Sequence, residues 1–161
     1  MNIRSAIFAC WFAVFATTAL SQSNINLGSV NTDPNAPVEV TAESLEVNQD
    51  TNQAIFTGNV LIIQGDLRVT APRVEVLYQD GGGDISQLLA TGGVTLVSAT
   101  EAAEAQEADY NLAAGTLTLT TDVVVTQGPS VISADKMVMN LDDGSAVMEG
   151  RVRTILQQSE N

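Results

Sequence analysis

From Pro37 onward the chain alternates apolar and polar positions. Val38-Glu39-Val40 opens the pattern, and Phe56, Val60 and Ile62 then share one parity, with Thr57 and Asn59 on the other. The same period runs through Leu67 to Ala71, Val74 to Tyr78, Val94 to Leu96, Leu117 to Thr120 and Met137 to Leu141. A period of two places side chains on opposite faces of a strand, whereas a helix would repeat every 3.6 residues. Clusters of turn formers separate the runs, at Asn48 to Asn52, Gln64 to Asp66, Asp80 to Asp84, Gln127 to Pro129 and Asp142 to Gly144. The pattern predicts an all-β, antiparallel chain. Ala99 to Ala108 departs from it, with a helix-forming composition but no apolar stripe beyond alanine. We read it as a loop that enters a strand at Ala108-Asp109-Tyr110.

The chain also repeats itself. Gly58 to Gly65 matches Thr121 to Gly128, and Val69 to Val76 matches Ile132 to Met139. An Ala-acid step recurs at Ala42-Glu43, Ala108-Asp109 and Ala134-Asp135, and a Gly-x-Val step recurs at Gly58, at Gly92 or Gly93, and at Gly150. A unit of about thirty residues builds by stacking. Each unit reads as a strand pair laid across two facing sheets, with glycines at kinks or bulges where a strand passes from one sheet to the other.

Parity assigns an inward set: Val38, Val40, Leu45, Val47, Phe56, Val60, Ile62, Val69, Val74, Val76, Val94, Leu96, Leu117, Leu119, Val123, Val125, Ile132, Met137 and Met139. For any one of them, ordinary core packing is the plainer role, and the methionines suit gap-filling. The first strand (Val38 to Ala42) and the last (Ala146 to Leu156) are the natural edges. Neither holds an internal proline, so Val38, Val40, Val147 and Val152 are candidate contacts for strand pairing with another chain.

Length and composition narrow the function. The chain has 161 residues and a net charge of −13. It has no histidine, which removes a Ser-His-Asp triad, a histidine base and a histidine metal ligand. Its one cysteine supports neither a disulfide framework nor a structural zinc site. The acidity and the few aromatics argue against nucleic acid. Asp142-Asp143 sits in a turn with Gly144, and Gly81-Gly82-Gly83 lacks the Lys-Ser/Thr of a phosphate loop. We expect no enzyme, no cofactor and no metal. Arg4 followed by the uncharged run Ser5 to Ala16 and by Ala19 and Ser21 reads as a secretory leader cleaved after Ser21. The expected organisation is a leader over 1–21, a flexible polar lead over 22–37, a β domain over 38–156 and a tail over 157–161.

Phe56-Thr57-Gly58-Asn59-Val60, Gln64-Gly65, Ala71 to Val76, Gln127-Gly128 and Ala134-Asp135-Lys136-Met137 together resemble the OstA-like domain family. The resemblance covers about Val38 to Leu156. It implies a twisted antiparallel β-jellyroll of two facing sheets, whose apolar groove, lined by the inward set, carries the acyl chains of lipopolysaccharide in the periplasm. It also implies end-to-end assembly, with an inner-membrane anchored LptC-like protein and an outer-membrane LptD-like receptor as partners and with self-association between copies. Pro72 departs from the family, which usually shows an acid there, so the strand is expected to bulge or stop. Arg73 and Lys136 are equivalent in the repeat and are candidate phosphate contacts, although an exposed strand-face charge is the plainer role of each. The competing reading is an exported structural β-repeat, adhesin-like, with a filled core and no lipid.

Overall fold

The alternation becomes strands because valine, isoleucine, leucine and threonine fit a pleated, half-buried surface. The computed structural model describes residues 24–26, 36–79, 83–99 and 101–155. The leader, Cys10 and the tail lie outside the described residues. The strands are β1 (Asn24–Asn26), β2 (Glu39–Thr41), β3 (Ser44–Asn48), β4 (Gln53–Gln64), β5 (Leu67–Tyr78), β6 (Ile85–Val97), β7 (Glu101–Asn111), β8 (Thr116–Gln127), β9 (Ser130–Asn140), β10 (Ser145–Glu149) and β11 (Arg153–Ile155). All pair antiparallel in one continuous path, β1-β10-β9-β8-β7-β6-β5-β4-β2, with β3 also on β4 and β11 also on β9.

The two expected sheets are two leaves of this one ladder. Each long strand bends near its middle, where the register shifts: between Thr57 and Val60, Thr70 and Arg73, Thr91 and Val94, Glu104 and Glu107, and Thr120 and Val123. One leaf holds β2, β11 and the strand halves that include Val60 to Gln64, Leu67 to Thr70 and Val94 to Val97. The other holds β1, β3, β10 and the halves that include Gln53 to Thr57, Arg73 to Tyr78 and Ile85 to Thr91.

Two kinds of corner alternate along the bend. β4, β6, β8 and the β10–β11 junction turn through left-handed pairs: Gly58-Asn59, Gly92-Gly93, Thr121-Asp122 and Gly150-Arg151. The neighbouring strands turn at Ala42-Glu43, Ala71-Pro72, Ala105-Gln106 and Ala134-Asp135. The corners interlock. Glu43 N–H donates to the Gly58 carbonyl at 3.0 Å, and Asp135 N–H donates to the Gly150 carbonyl at 3.1 Å. Asn59 Nδ2 donates to Glu43 Oε1 at 2.5 Å, while Arg151 Nε donates to Asp135 Oδ1 at 2.9 Å. A Cβ on Gly58 would fall 2.5 Å from Glu43 Oε2, so no side chain fits there beside the acid.

Two sequence expectations change, and a third is narrowed. Within Ala99 to Ala108, the residues from Glu101 on are strand and not loop, because β7 starts there. Its inward residues Ala103 and Ala105 sit in ladder rows beside larger neighbours and Ala108 lies between Ala90 and Leu119, and that tertiary fit overrides helix propensity. The Ala-x corner of β7 is therefore Ala105-Gln106, and Ala108-Asp109 lies beyond the bend. At Pro72 the strand bulges but does not stop: β5 runs on to Tyr78, with the proline ring against Gly92. Within the polar lead, Asn24–Asn26 pairs with β10, so the edge at Val147 is taken by Asn24.

Candidate functional site

Residues directly opposite in an antiparallel ladder share a face, so the register lays out the interior row by row. Next to the bend, one leaf offers Val60, Ala71, Val94, Ala105, Val123 and Ala134. The row facing from the other leaf is Leu45, Phe56, Val74, Ala90, Ala108, Leu119, Met137 and Met148. In the first row valine alternates with alanine, and the rows close tightly. Val60, Val74, Val94, Leu119, Val123 and Met137 are all but fully buried.

Farther from the bend the leaves meet less completely. Val38, Ile62, Gln64, Leu67, Val69 and Leu96 on one leaf face Leu88, Ala90, Ala108, Tyr110, Leu117 and Leu141 on the other across a gap of about 40 Å³. The adjoining alanines Ala90 and Ala108 make its floor, since each leaves unfilled the space a larger residue would occupy. A second gap of about 30 Å³ lies among Leu67, Leu96, Ser98, Glu101, Ala103, Leu117, Val125, Met137 and Met139. The two gaps share Leu67, Leu96 and Leu117 and so continue one another as an apolar seam between the leaves.

The outermost inner row carries the buried polar side chains. Gln64 is buried, and its Nε2 donates to the Ala36 carbonyl at 3.4 Å. Glu101 is only 9% exposed, and its Oε1 accepts from Gln127 Nε2 at 2.6 Å. Burial pushes the Glu101 carboxyl above its ordinary range, outweighing the lowering by the Gln127 bond. Burial likewise raises the Tyr110 hydroxyl. Among the described residues no group of three or more His, Cys, Asp or Glu is placed to hold a metal ion.

Most of the inward set faces the interior, but not all of it is covered. Leu45 and Val47 have the expected parity, opposite Phe56 and Ala54, yet are 56% and 61% exposed, because β3 is an edge strand paired only with β4. Arg73 and Lys136 are equivalent, each just past an Ala-x corner, but they point away from the seam. Arg73 pairs with Thr57 and Thr91 in the outward row and lies 3.5 Å from Glu75, while Lys136 lies 3.8 Å from Glu149. The structure does not bring them to a ligand held between the leaves. Parity already carried this, since each precedes an inward residue, Val74 or Met137. Ala90, Ala108, Leu88, Leu67 and Glu101 were missed. Leu67 shares the parity of Val69, whereas nothing in the acid run of β7 marks Glu101 as the buried member.

Residues 39–145 match the family described as LptA/(LptD N-terminal domain) LPS transport protein. An uncharacterized protein of Rhizobium meliloti (strain 1021) is 28% identical over 153 residues, covering 88% of this chain and 82% of that protein. The lipopolysaccharide export system protein LptH of Pseudomonas aeruginosa is 32% identical over 79 residues, covering 49% of this chain and 44% of its own length. The crystal structure of LptH, titled the LptA homologous periplasmic component of the conserved lipopolysaccharide transport device, superposes with a TM-score of 0.69 at 18% identity. It covers 79% of this chain and 99% of LptH, and it shares the β-jellyroll fold.

Proposed function

The chain belongs to the LptA/(LptD N-terminal domain) family of LPS transport proteins, and from that premise we propose that it is a periplasmic carrier holding the acyl chains of lipopolysaccharide between its two leaves. Sugars and phosphates stay in water, where the acidic surface does not need to approach them. Each buried methylene is worth ~0.8 kcal/mol, so a chain of a dozen carbons is worth roughly 10 kcal/mol. That outweighs any single surface charge contact.

The observation that supports this reading is the seam, two adjoining apolar gaps between the leaves, together with the uncovered Leu45 and Val47 on the edge strand β3. In the closed state the gaps hold little. A water needs about 10–15 Å³ on this scale, so 40 Å³ takes about three small groups. An acyl chain therefore enters by parting the leaves at the mouth, while the rows at the bend stay packed. The interior has no array of fixed polar contacts, which suits sliding along the seam.

The carrier extends into a bridge through its edges. Unpaired edge groups recruit further strands, and joining a first edge to a last edge is heterologous and does not close. In this proposal β2 and β3 meet an inner-membrane anchored LptC-like protein, the β10–β11 edge meets an outer-membrane LptD-like receptor, and copies join end to end. The narrowness of the seam favours one second reading, a structural module with a filled core. Expressing the chain in cells that make lipopolysaccharide and extracting it separates the two. Lipopolysaccharide in the purified protein by mass spectrometry supports the carrier, and a protein that takes up no amphiphile supports the module.

A further inference from the structure

An apolar seam has no packing use for a carboxyl group, yet Glu101 lines one. Its neighbours there are Leu67, Leu96, Leu117 and Met139, and the other polar lining group is Ser98. Three of these lie on the same leaf or its turn and two on the leaf opposite, so the carboxyl faces hydrocarbon from both sides. Burying a carboxyl among aliphatic groups is costly unless it is hydrogen-bonded. Gln127 supplies one such bond, to Oε1. A carboxyl accepts at both oxygens, so Glu101, which lines the seam, has capacity beyond that bond.

The adjoining gap sets the size of what fits. About 30 Å³ is room for one or two small polar groups, and too little for a ring. The walls on either side of it are aliphatic, so the group must be carried by a hydrocarbon chain.

We propose that Glu101, braced by Gln127 and beside Ser98, is a subsite for the hydrogen-bond donor at the neck of an acylated ligand, an amide N–H or a hydroxyl next to the polar end of its chain. The subsite rests on the carrier reading and adds to it. The seam supplies affinity for any chain, while Glu101 sets the depth at which one stops and selects chains that carry a donor. The raised carboxyl fits this role, because the protonated form also donates to a ligand carbonyl.

The test compares two probes that differ by one donor, N-methyl dodecanamide and methyl dodecanoate, titrated into the purified protein with a displaced fluorescent fatty acid as readout. The wild type binds the amide about tenfold more tightly, the effect of one hydrogen bond to a buried acid. Glu101→Leu abolishes the preference while ester binding holds or strengthens. Should the leucine variant fail to fold by circular dichroism, Glu101→Gln, of nearly equal size, reduces the preference to about threefold. A preference kept at the wild-type ratio in the folded variant overturns the subsite and leaves the carrier standing. Equal binding of amide and ester by the wild type also overturns the subsite alone. Binding of neither probe overturns both.

Discussion

Ala108→Val puts two extra methyl groups over the floor of the larger gap. Ala108 is buried, pairs with Ala90 and Leu119, and faces a space of about 40 Å³ that holds about three small groups. Two methyls therefore fit without forcing neighbours off their rotamers. At ~0.8 kcal/mol each, the closed state gains about 1.6 kcal/mol. In a domain of this size, that raises Tm by roughly 5–8 °C. The same free energy opposes parting of the leaves. If an acyl chain enters only by separating them, the closed-to-open equilibrium shifts by the full amount, and lipopolysaccharide affinity falls about fifteenfold. Calorimetry reads the first quantity, and titration with a labelled lipopolysaccharide reads the second. Ala108→Leu, with one carbon more, extends the series until overpacking reverses the stability gain. A valine variant stabilised as reckoned, but with wild-type affinity, would show that acyl chains do not lie between the leaves.

Other perturbations probe the corners, the buried acid and the edges. Thr121 holds a φ of 66° with a β-branched side chain, where β4, β6 and the β10–β11 junction use glycine. Thr121→Gly relieves ~1–2 kcal/mol of left-handed strain against ~0.5–1 kcal/mol of added chain entropy, so urea unfolding should show a net gain of about 0.5–1 kcal/mol. For Glu101 the raised carboxyl favours the protonated folded state. Its contribution is full below the ordinary 4.5 and is lost as pH rises through the raised value, so Glu101→Gln should flatten that decline in the urea midpoint. Asp135 runs the other way. Hydrogen bonds from Arg151, then its charge, hold the carboxyl below 3.8, so its contribution is present above that value and lost as pH falls through the lowered one. The acid limb of the same curve should flatten in Asp135→Asn. Val152 lies between β10 and β11, outside the ladder, so Val152→Pro should keep the wild-type Tm while weakening association. Global unfolding of that variant would count against an edge role.

Much of the fold was legible because the period of two is carried by valine, leucine and threonine, whose placement needs no partner to interpret. The Gly58 and Gly150 corners were legible for a similar reason, since the chemistry of a left-handed turn is local. β7 was not. Most of its inward residues are alanines, and an alanine reads as strand only when the rows beside it supply Val94, Val123 and Leu119. Parity placed Leu45 and Val47 on the correct face, but burial also depends on neighbours within the sheet, and β3 is an edge strand paired only with β4. Glu101 illustrates the same limit at the site. In sequence it is one of three evenly spaced glutamates with Glu104 and Glu107; strand alternation turns Glu104 out, and the bend after Glu104 turns out Glu107, which otherwise shares the parity of Glu101.

The two ends of the interior are built differently, and this bears on how copies would join. At one end the row through Phe56 runs out to Leu45 in water. At the other the same row ends in Met137 and Met148, both buried, and the adjacent row in Met139 and Ala146, also buried. Every methionine after Met1 lies in this terminal patch. A strand bearing Leu45 added beside one bearing Met148 would prolong the row and cover the leucine, against flexible thioethers that adapt to it. On that leaf, however, β1 already pairs with β10 through Asn24 to Asn26. On the other leaf, β11 pairs only with β9 among the described residues. Under the proposed end-to-end pairing, the joint thus forms first through β11 and is completed when β1 leaves. Ile25→Pro removes a strand N–H from β1 and should tighten self-association of the purified protein in sedimentation velocity, with little change in Tm. An unchanged association constant would show that β1 does not guard this edge, and a loss of association would make β1 part of the joint.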